Sequence, residues 1–155
     1  MAHPTIQFPL DPNQHVSSGT VAYREAAGSD IEYMIMYRKQ TDSYHLAKGT
    51  LHHEEPLDSR ARQETIEETG FDVDLEEYLG SLRSVFTRDD NIIHKETHYF
   101  LAKVKDKVAE GDDEHDEVSF HSFEDALQKL AHNPIFESEH HVLKLAHKRR
   151  LERTS

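Results

Sequence analysis

At 155 residues the chain has room for one domain of ordinary size, read as 1–155, and too little for two. Apolar residues make up 35% and charged residues 31%, which limits the core, stays short of a disordered composition and supplies no run near the roughly 20 residues of a membrane span. Thirty acidic against 18 basic residues leave a net charge of −12, a sign that argues against gripping duplex nucleic acid by its phosphates. In chain order, Met1-Ala2-His3-Pro4-Thr5 has neither a basic lead nor an apolar stretch, which speaks against a secretory signal and for the cytoplasm. Residues 19–24 and 31–38 mix β-branched and aromatic side chains with imperfect alternation, predicting two strands partly buried on both faces, joined by a turn at residues 27–30. Pro56-Leu57-Asp58 opens a helix with Asp58 as its N-cap, and Gly70 stops it. Residues 79–87 and 97–104 read as a strand pair around the polar turn Arg88-Asp89-Asp90-Asn91. Residues 110–117 are an acidic loop and 118–121 a short strand. A helix follows, capped by Ser122 with Glu124 and Asp125 in its first turn and ended by Pro134. Residues 135–153 read as a last helix with a basic end. No repeat or linker interrupts this order, so one α/β domain is expected.

The acidity is concentrated. Ten acidic residues lie between Glu54 and Glu77 against only Arg60 and Arg62, and six lie between Glu110 and Glu117 with no base. At about 100° per residue, Glu64, Glu67 and Glu68 fall within a stripe roughly 100° wide on one helix face. Carboxylates so spaced sit about 6 Å apart and repel by at most about 3 kcal/mol per pair, less in water and salt. Alone, such a face is an ordinary solvated one. What changes the reading is the rest of the segment: Gly49 and Glu55 precede the helix at fixed distances, and Gly70-Phe71 closes it.

With those residues in place the chain resembles the Nudix hydrolase family, whose box is G-x5-E-x7-R-E-U-x-E-E-x-G-U with U bulky and apolar. Gly49, Glu55, Glu64, Glu67, Glu68, Gly70 and Phe71 match in register, while Gln63 stands in place of the arginine and Thr65 in place of the first U. The resemblance implies an α/β/α sandwich around a mixed β-sheet, with the box as loop, helix and loop. It also implies Mg²⁺-dependent (or Mn²⁺-dependent) hydrolysis of a phosphoanhydride bond in a nucleoside triphosphate or dinucleoside polyphosphate. By similarity, Glu64, Glu67 and Glu68 would ligate the metal, with the backbone carbonyl of Lys48 or Gly49 completing the protein share. Glu64, or Glu114 or Glu117 in the loop before the final helix, would deprotonate the attacking water. The family's arginine orients a catalytic glutamate, which a neutral Gln63 does less well; Arg60, one turn before Glu64, is the candidate replacement cation. Thr65 can pack its methyl inward and bond its hydroxyl to a preceding carbonyl. The same departure at Gln63 keeps open a non-catalytic domain that binds a nucleotide or a protein partner. Sandwiches of this family often pair, which leaves a homodimer open.

Leu46-Ala47-Lys48-Gly49 is similar to the Leu-Pro-Lys-Gly of Nudix enzymes acting on dinucleoside polyphosphates and diphosphoinositol polyphosphates, which makes Lys48, together with Arg38, a candidate substrate contact. The proline that follows the box in ADP-ribose enzymes is absent, since none lies between Phe71 and Pro134, and no tyrosine occupies the window from Phe86 to Asp89 that marks diadenosine polyphosphate enzymes. Tyr23, Tyr33, Tyr37, Phe86, Tyr99 and Phe100 are candidates for stacking on a base, with the core as the more ordinary place for strand aromatics. With no cysteine there is no disulfide, thiolate nucleophile or Cys-ligated zinc. The 13 histidines are scattered without metal-ligand spacing, and His45, His52 and His53 lie near enough to the box to touch a phosphate.

Overall fold

The computed structural model describes residues 1–112, 117–133 and 138–154. Its strands are β1 Gln14–Glu25, β2 Ile31–Arg38, β3 Ser43–His45, β4 Ala47–Thr50, β5 Phe71–Arg88, β6 Asn91–Lys107 and β7 Glu117–His121. The helices are α1 Leu57–Thr69, α2 Phe123–Ala131 and α3 Glu139–Thr154. The strands form one sheet in the order β3-β2-β1-β6-β5, with β4 paired to β1 and β7 to β2. β1 and β6 run parallel, from Gln14 facing His94 to Tyr23 facing Lys103, and the other pairs are antiparallel.

Strand alternation sends the two faces of β1 to different helices. Val21 and Tyr23 join Tyr33, Tyr99 and Leu101 in a core closed by Ala126 and Leu130 of α2 and Leu143 and Ala146 of α3. Val16, on the opposite face, packs with Phe100, Leu57 and Ala61 under α1. One helix on one face and two on the other make the α/β/α sandwich around a mixed sheet that the box implied. The α1 side is partly polar: Ser18 Oγ donates to the Leu57 carbonyl at 2.7 Å, and Thr20 meets Thr65 hydroxyl to hydroxyl at 2.8 Å, all four residues being buried.

Several boundaries differ from the sequence reading. β5 and β6 are longer at both ends; three register shifts in their pairing, between Phe71 and Val73, Leu75 and Glu77, and Tyr78 and Gly80, break the two-residue alternation that marks a strand in sequence. Their turn is as expected, with Asp89 and Asp90 at φ 50° and 65°, the paired positive values that suit a tight hairpin. β3 and β4 were not foreseen, being three and four residues long and broken by Leu46. At the start of α1 the N-cap is Pro56, with no side-chain bond; Asp58 lies inside the first turn, where its Oδ1 accepts from the Ser59 amide at 2.8 Å and its charge suits the helix dipole. Gly70 ends α1 at φ 82°, donating to the Ile66 carbonyl, and Ser122 caps α2 by accepting from the Asp125 amide. Pro134 and the expected start of the last helix at residue 135 lie outside the described residues. Among those described, no helix is long and apolar enough to cross a membrane.

Candidate active site

α1 aims its polar face at Gly49 of β4. A Cβ on Gly49 would overlap the Glu64 carboxylate, so glycine here lets the helix and the strand approach with that side chain where it stands. Arg60 lies between two box glutamates. Its guanidinium grips both oxygens of Glu55, Nη2 to Oε2 at 2.9 Å, and donates from Nη1 to Glu64 Oε1 at 2.8 Å. The Arg60 bond holds Glu55 below the usual carboxylate range, while burial pushes Glu64 up despite the same arginine. Gln63 is turned elsewhere, its amide donating to Glu67 Oε1 at 2.9 Å. Thr65 behaves as its chemistry suggested: it is fully buried and its Oγ1 donates to the Ala61 carbonyl at 2.7 Å, so the proton in the Thr20–Thr65 bond comes from Thr20.

Glu68 is the most desolvated of the three helix carboxylates. Its Oε1 accepts from the Lys48 amide at 2.9 Å, yet burial, with the charges of Asp112 and Glu64 adding to it, drives its pKa up to about 8. Asp112 is there because the loop after β6 is stitched to the end of α1. The amides of Val108 and Ala109 donate to the Gly70 carbonyl at 2.7 and 3.1 Å, and the Asp112 amide donates to the Glu68 carbonyl at 3.3 Å. Glu64, Glu67, Glu68 and Asp112 thus border one cleft of about 520 Å³, rimmed by the cations Lys48 and Arg38 and by His45 and His52. Lys48 also borders a neighbouring, more apolar cavity of about 590 Å³, which contains Leu82, Phe86 and Tyr99.

Of the residues singled out in the sequence, Arg38, Lys48, Gly49, Glu64, Glu67, Glu68, His45 and His52 therefore meet at this cleft, and Arg60 supports it from below. His53 points to Glu55, 3.6 Å away. Glu117 opens β7 opposite Tyr37, is exposed, and is not among the cleft residues; Glu114 lies outside the described residues. Asp112 was not singled out, since within a run of six acids only the ties to Glu68 and Gly70 distinguish it. Tyr23, Tyr33, Tyr99 and Phe100 are buried, Tyr99 at the wall of the apolar cavity, and Tyr37 packs against Tyr44; Phe86 is the half-exposed aromatic beside that cavity. Among the described residues no three His, Asp or Glu side chains converge on one point closely enough to hold an ion as they stand. The donor set nevertheless fits a hard divalent cation, because carboxylates carry it and Glu68 ionises reluctantly without a compensating charge.

A family model described as the NUDIX domain matches residues 15–141. Among solved structures, the Caenorhabditis elegans Ap4A hydrolase in a binary complex superposes with a TM-score of 0.70 at 21% identity, covering 89% of this chain and 98% of that one. A NUDIX hydrolase from Nitrosomonas europaea superposes with a TM-score of 0.65 at 17% identity, covering 88% and 89%. The NUDIX domain of Shewanella oneidensis NrtR, complexed with ADP ribose, gives 0.67 at 14% identity, covering 90% and 93%. At these identities the likeness is one of fold. No curated protein matches the chain. The family model spans the box and most of the sheet that supports it, and on that ground the chain belongs to the NUDIX domain family and is a Nudix hydrolase.

Proposed function

We propose that the chain hydrolyses a phosphoanhydride bond in a nucleoside polyphosphate, either a nucleoside triphosphate or a dinucleoside polyphosphate, with Mg²⁺ or Mn²⁺. The observation that carries this reading is the pairing of two adjoining spaces: a carboxylate-lined cleft with a cationic rim, and an apolar cavity beside it that shares Lys48. Phosphates suit the first and a nucleoside the second. The name of the C. elegans relative, an Ap4A hydrolase, supports the dinucleotide class. Glu64, Glu67 and Glu68 with the Gly49 carbonyl, joined by Asp112, would hold the cation, which when bound neutralises phosphate charge and makes water more acidic.

This chain's own residues do the rest. Lys48 and Arg38 bind the phosphates. Glu64, with one oxygen fixed by Arg60, takes the proton of the attacking water, and Arg60 keeps that carboxylate from swinging away. Phe86 offers its ring to the base. The enzyme would act in the cytoplasm on a small molecule, alone or as a homodimer, without duplex nucleic acid or membrane. The test is a screen of nucleoside triphosphates, dinucleoside polyphosphates and ADP-ribose with Mg²⁺, Mn²⁺ or EDTA, with products separated and the reaction run in ¹⁸O-water to locate the attacked phosphorus. Metal-dependent turnover of a polyphosphate is expected; turnover confined to ADP-ribose, or indifferent to EDTA, would overturn the reading.

A further inference from the structure

Glu139, the first residue of α3, is 1% exposed, a degree of burial that a carboxylate seldom reaches without partners. Its Oε1 lies 2.7 Å from Lys48 Nζ, and its Oε2 accepts from the Leu46 amide at 2.7 Å. On the other side the Lys48 amide is bonded to Glu68. Residues 46–48 are therefore pegged between the start of α3 and the last glutamate of the box helix. β1 makes room for this arrangement: Gly19 faces Lys48 in register, and a Cβ there would come within 2.7 Å of the Lys48 Cβ. The lysine side chain, 16% exposed, stands where the apolar cavity and the carboxylate cleft meet.

We propose that Glu139 is a positioning residue that holds the Lys48 ammonium at the border of the two cavities and so fixes where the phosphate chain of the substrate lies; this rests on the functional reading given above. Lysine is a point charge on a flexible stem, and without a fixed partner its charge is spread over many positions. A buried ion pair adds little net stability over an apolar pair of the same volume, so its contribution here is geometric. A carboxylate that merely neutralised Lys48 would weaken anion binding, and its removal would lower KM. A positioning carboxylate has the opposite effect.

Steady-state kinetics on the best polyphosphate from the screen separate the two. Glu139→Gln keeps the volume and an acceptor for the Leu46 amide, so it is the variant expected to fold, checked by circular dichroism and melting. KM should rise about tenfold with kcat little changed, the usual scale for losing an orienting partner. Glu139→Asp, charged but one methylene short of spanning both contacts, should show the same loss. In a Lys48→Met background Glu139→Gln should add nothing. An unchanged or lower KM in Glu139→Gln, a silent Glu139→Asp, or multiplying losses in the double variant would overturn the proposal. A second measurement needs no turnover: acylation of Lys48 by a succinimidyl ester, followed by peptide mass mapping, should be faster in Glu139→Gln than in the wild type. Equal rates would overturn the coupling, while a wild type that hydrolyses no nucleotide would sink the functional reading alone.

Discussion

Arg60 donates to two carboxylates from different parts of the box, Glu55 ahead of the helix and Glu64 upon it. Gln63, at the position where the family has arginine, reaches only Glu67, and a neutral amide cannot supply the charge. The cation that bonds Glu64 thus stands three residues back along the chain, on the preceding turn. Arg60→Ala should lower kcat by tenfold to a hundredfold, about 1.4 to 2.7 kcal/mol, with a smaller change in KM, because orientation of a proton acceptor acts in the transition state. Gln63→Arg in that background should recover part of the loss. Equal kcat values for wild type and Arg60→Ala, at saturating substrate and metal, would reduce Arg60 to a structural clasp on Glu55. The bond between Arg60 and Glu64 was legible before the fold was known, since one helical turn separates the two residues. The grip of Arg60 on Glu55 was not, because Glu55 precedes the helix and no periodicity relates the two.

Helix α1 was readable from its glutamate stripe and its Gly70 stop, and misread at its start. Proline at the N-cap provides no side-chain acceptor, so the nearest acid looked like the cap while sitting two residues inside. The more instructive element is the interface that α1 makes with β1. Threonine at a position meant for a bulky apolar residue looks like a defect in sequence; in the fold its hydroxyl accepts from buried Thr20 and donates to Ala61. A Thr65→Val substitution restores the apolar side chain but leaves the Thr20 hydroxyl buried without that acceptor, at a cost of about 1–3 kcal/mol. Thr20→Val together with Thr65→Val should return most of this. Urea unfolding of the wild type and the two variants measures it, and a Thr65→Val protein as stable as the wild type would show that the hydroxyl pair contributes nothing. β3 and β4 escaped the sequence reading for a different reason: strands this short, with lysine and glycine in them, are defined by their partners β2 and β1 rather than by their own residues.

For the whole molecule, the burial of a carboxylate at the cleft, with neighbouring acids adding to its effect, makes stability depend on pH in a direction unusual for an acidic protein. Glu68 has a folded pKa of about 8 against 4.5 for the free side chain, so between those values the folded state binds more protons than the unfolded one. In metal-free buffer stability should therefore fall as pH rises from about 5 to 8. Below that window the sign reverses, because Glu55 and Asp72 are held low by Arg60 and Arg62 and lose their contribution as pH falls through their folded pKa values. Mg²⁺ or Mn²⁺ at millimolar concentration should raise the melting temperature most at the alkaline end, where the carboxylates are ionised and each kcal/mol corresponds to about 2–4 °C. Glu68→Gln should flatten the slope and blunt the metal effect together. A wild type whose melting temperature is level from pH 5 to 8, or which metal leaves unmoved at pH 8, would contradict this account of the cleft.

The parallel pairing of β1 with β6 also governs the order in which the molecule can be assembled. Gln14 must find His94, and Tyr23 must find Lys103, across about eighty intervening residues that include the whole box. During synthesis β1, β2 and the glutamate helix emerge with the centre of the sheet still open on one side, so Ser18 and Thr20 have only part of their packing until β6 arrives. The loop that delivers Asp112 follows β6 directly and cannot be tied to α1 any earlier. Long-range parallel pairing is slow to form because the chain closes a large loop before gaining contacts. The carboxylate cleft is thus among the last features to be completed, and a nascent chain interrupted before residue 103 presents its acidic helix on an unfinished sheet, with the strand edge meant for β6 open to other chains.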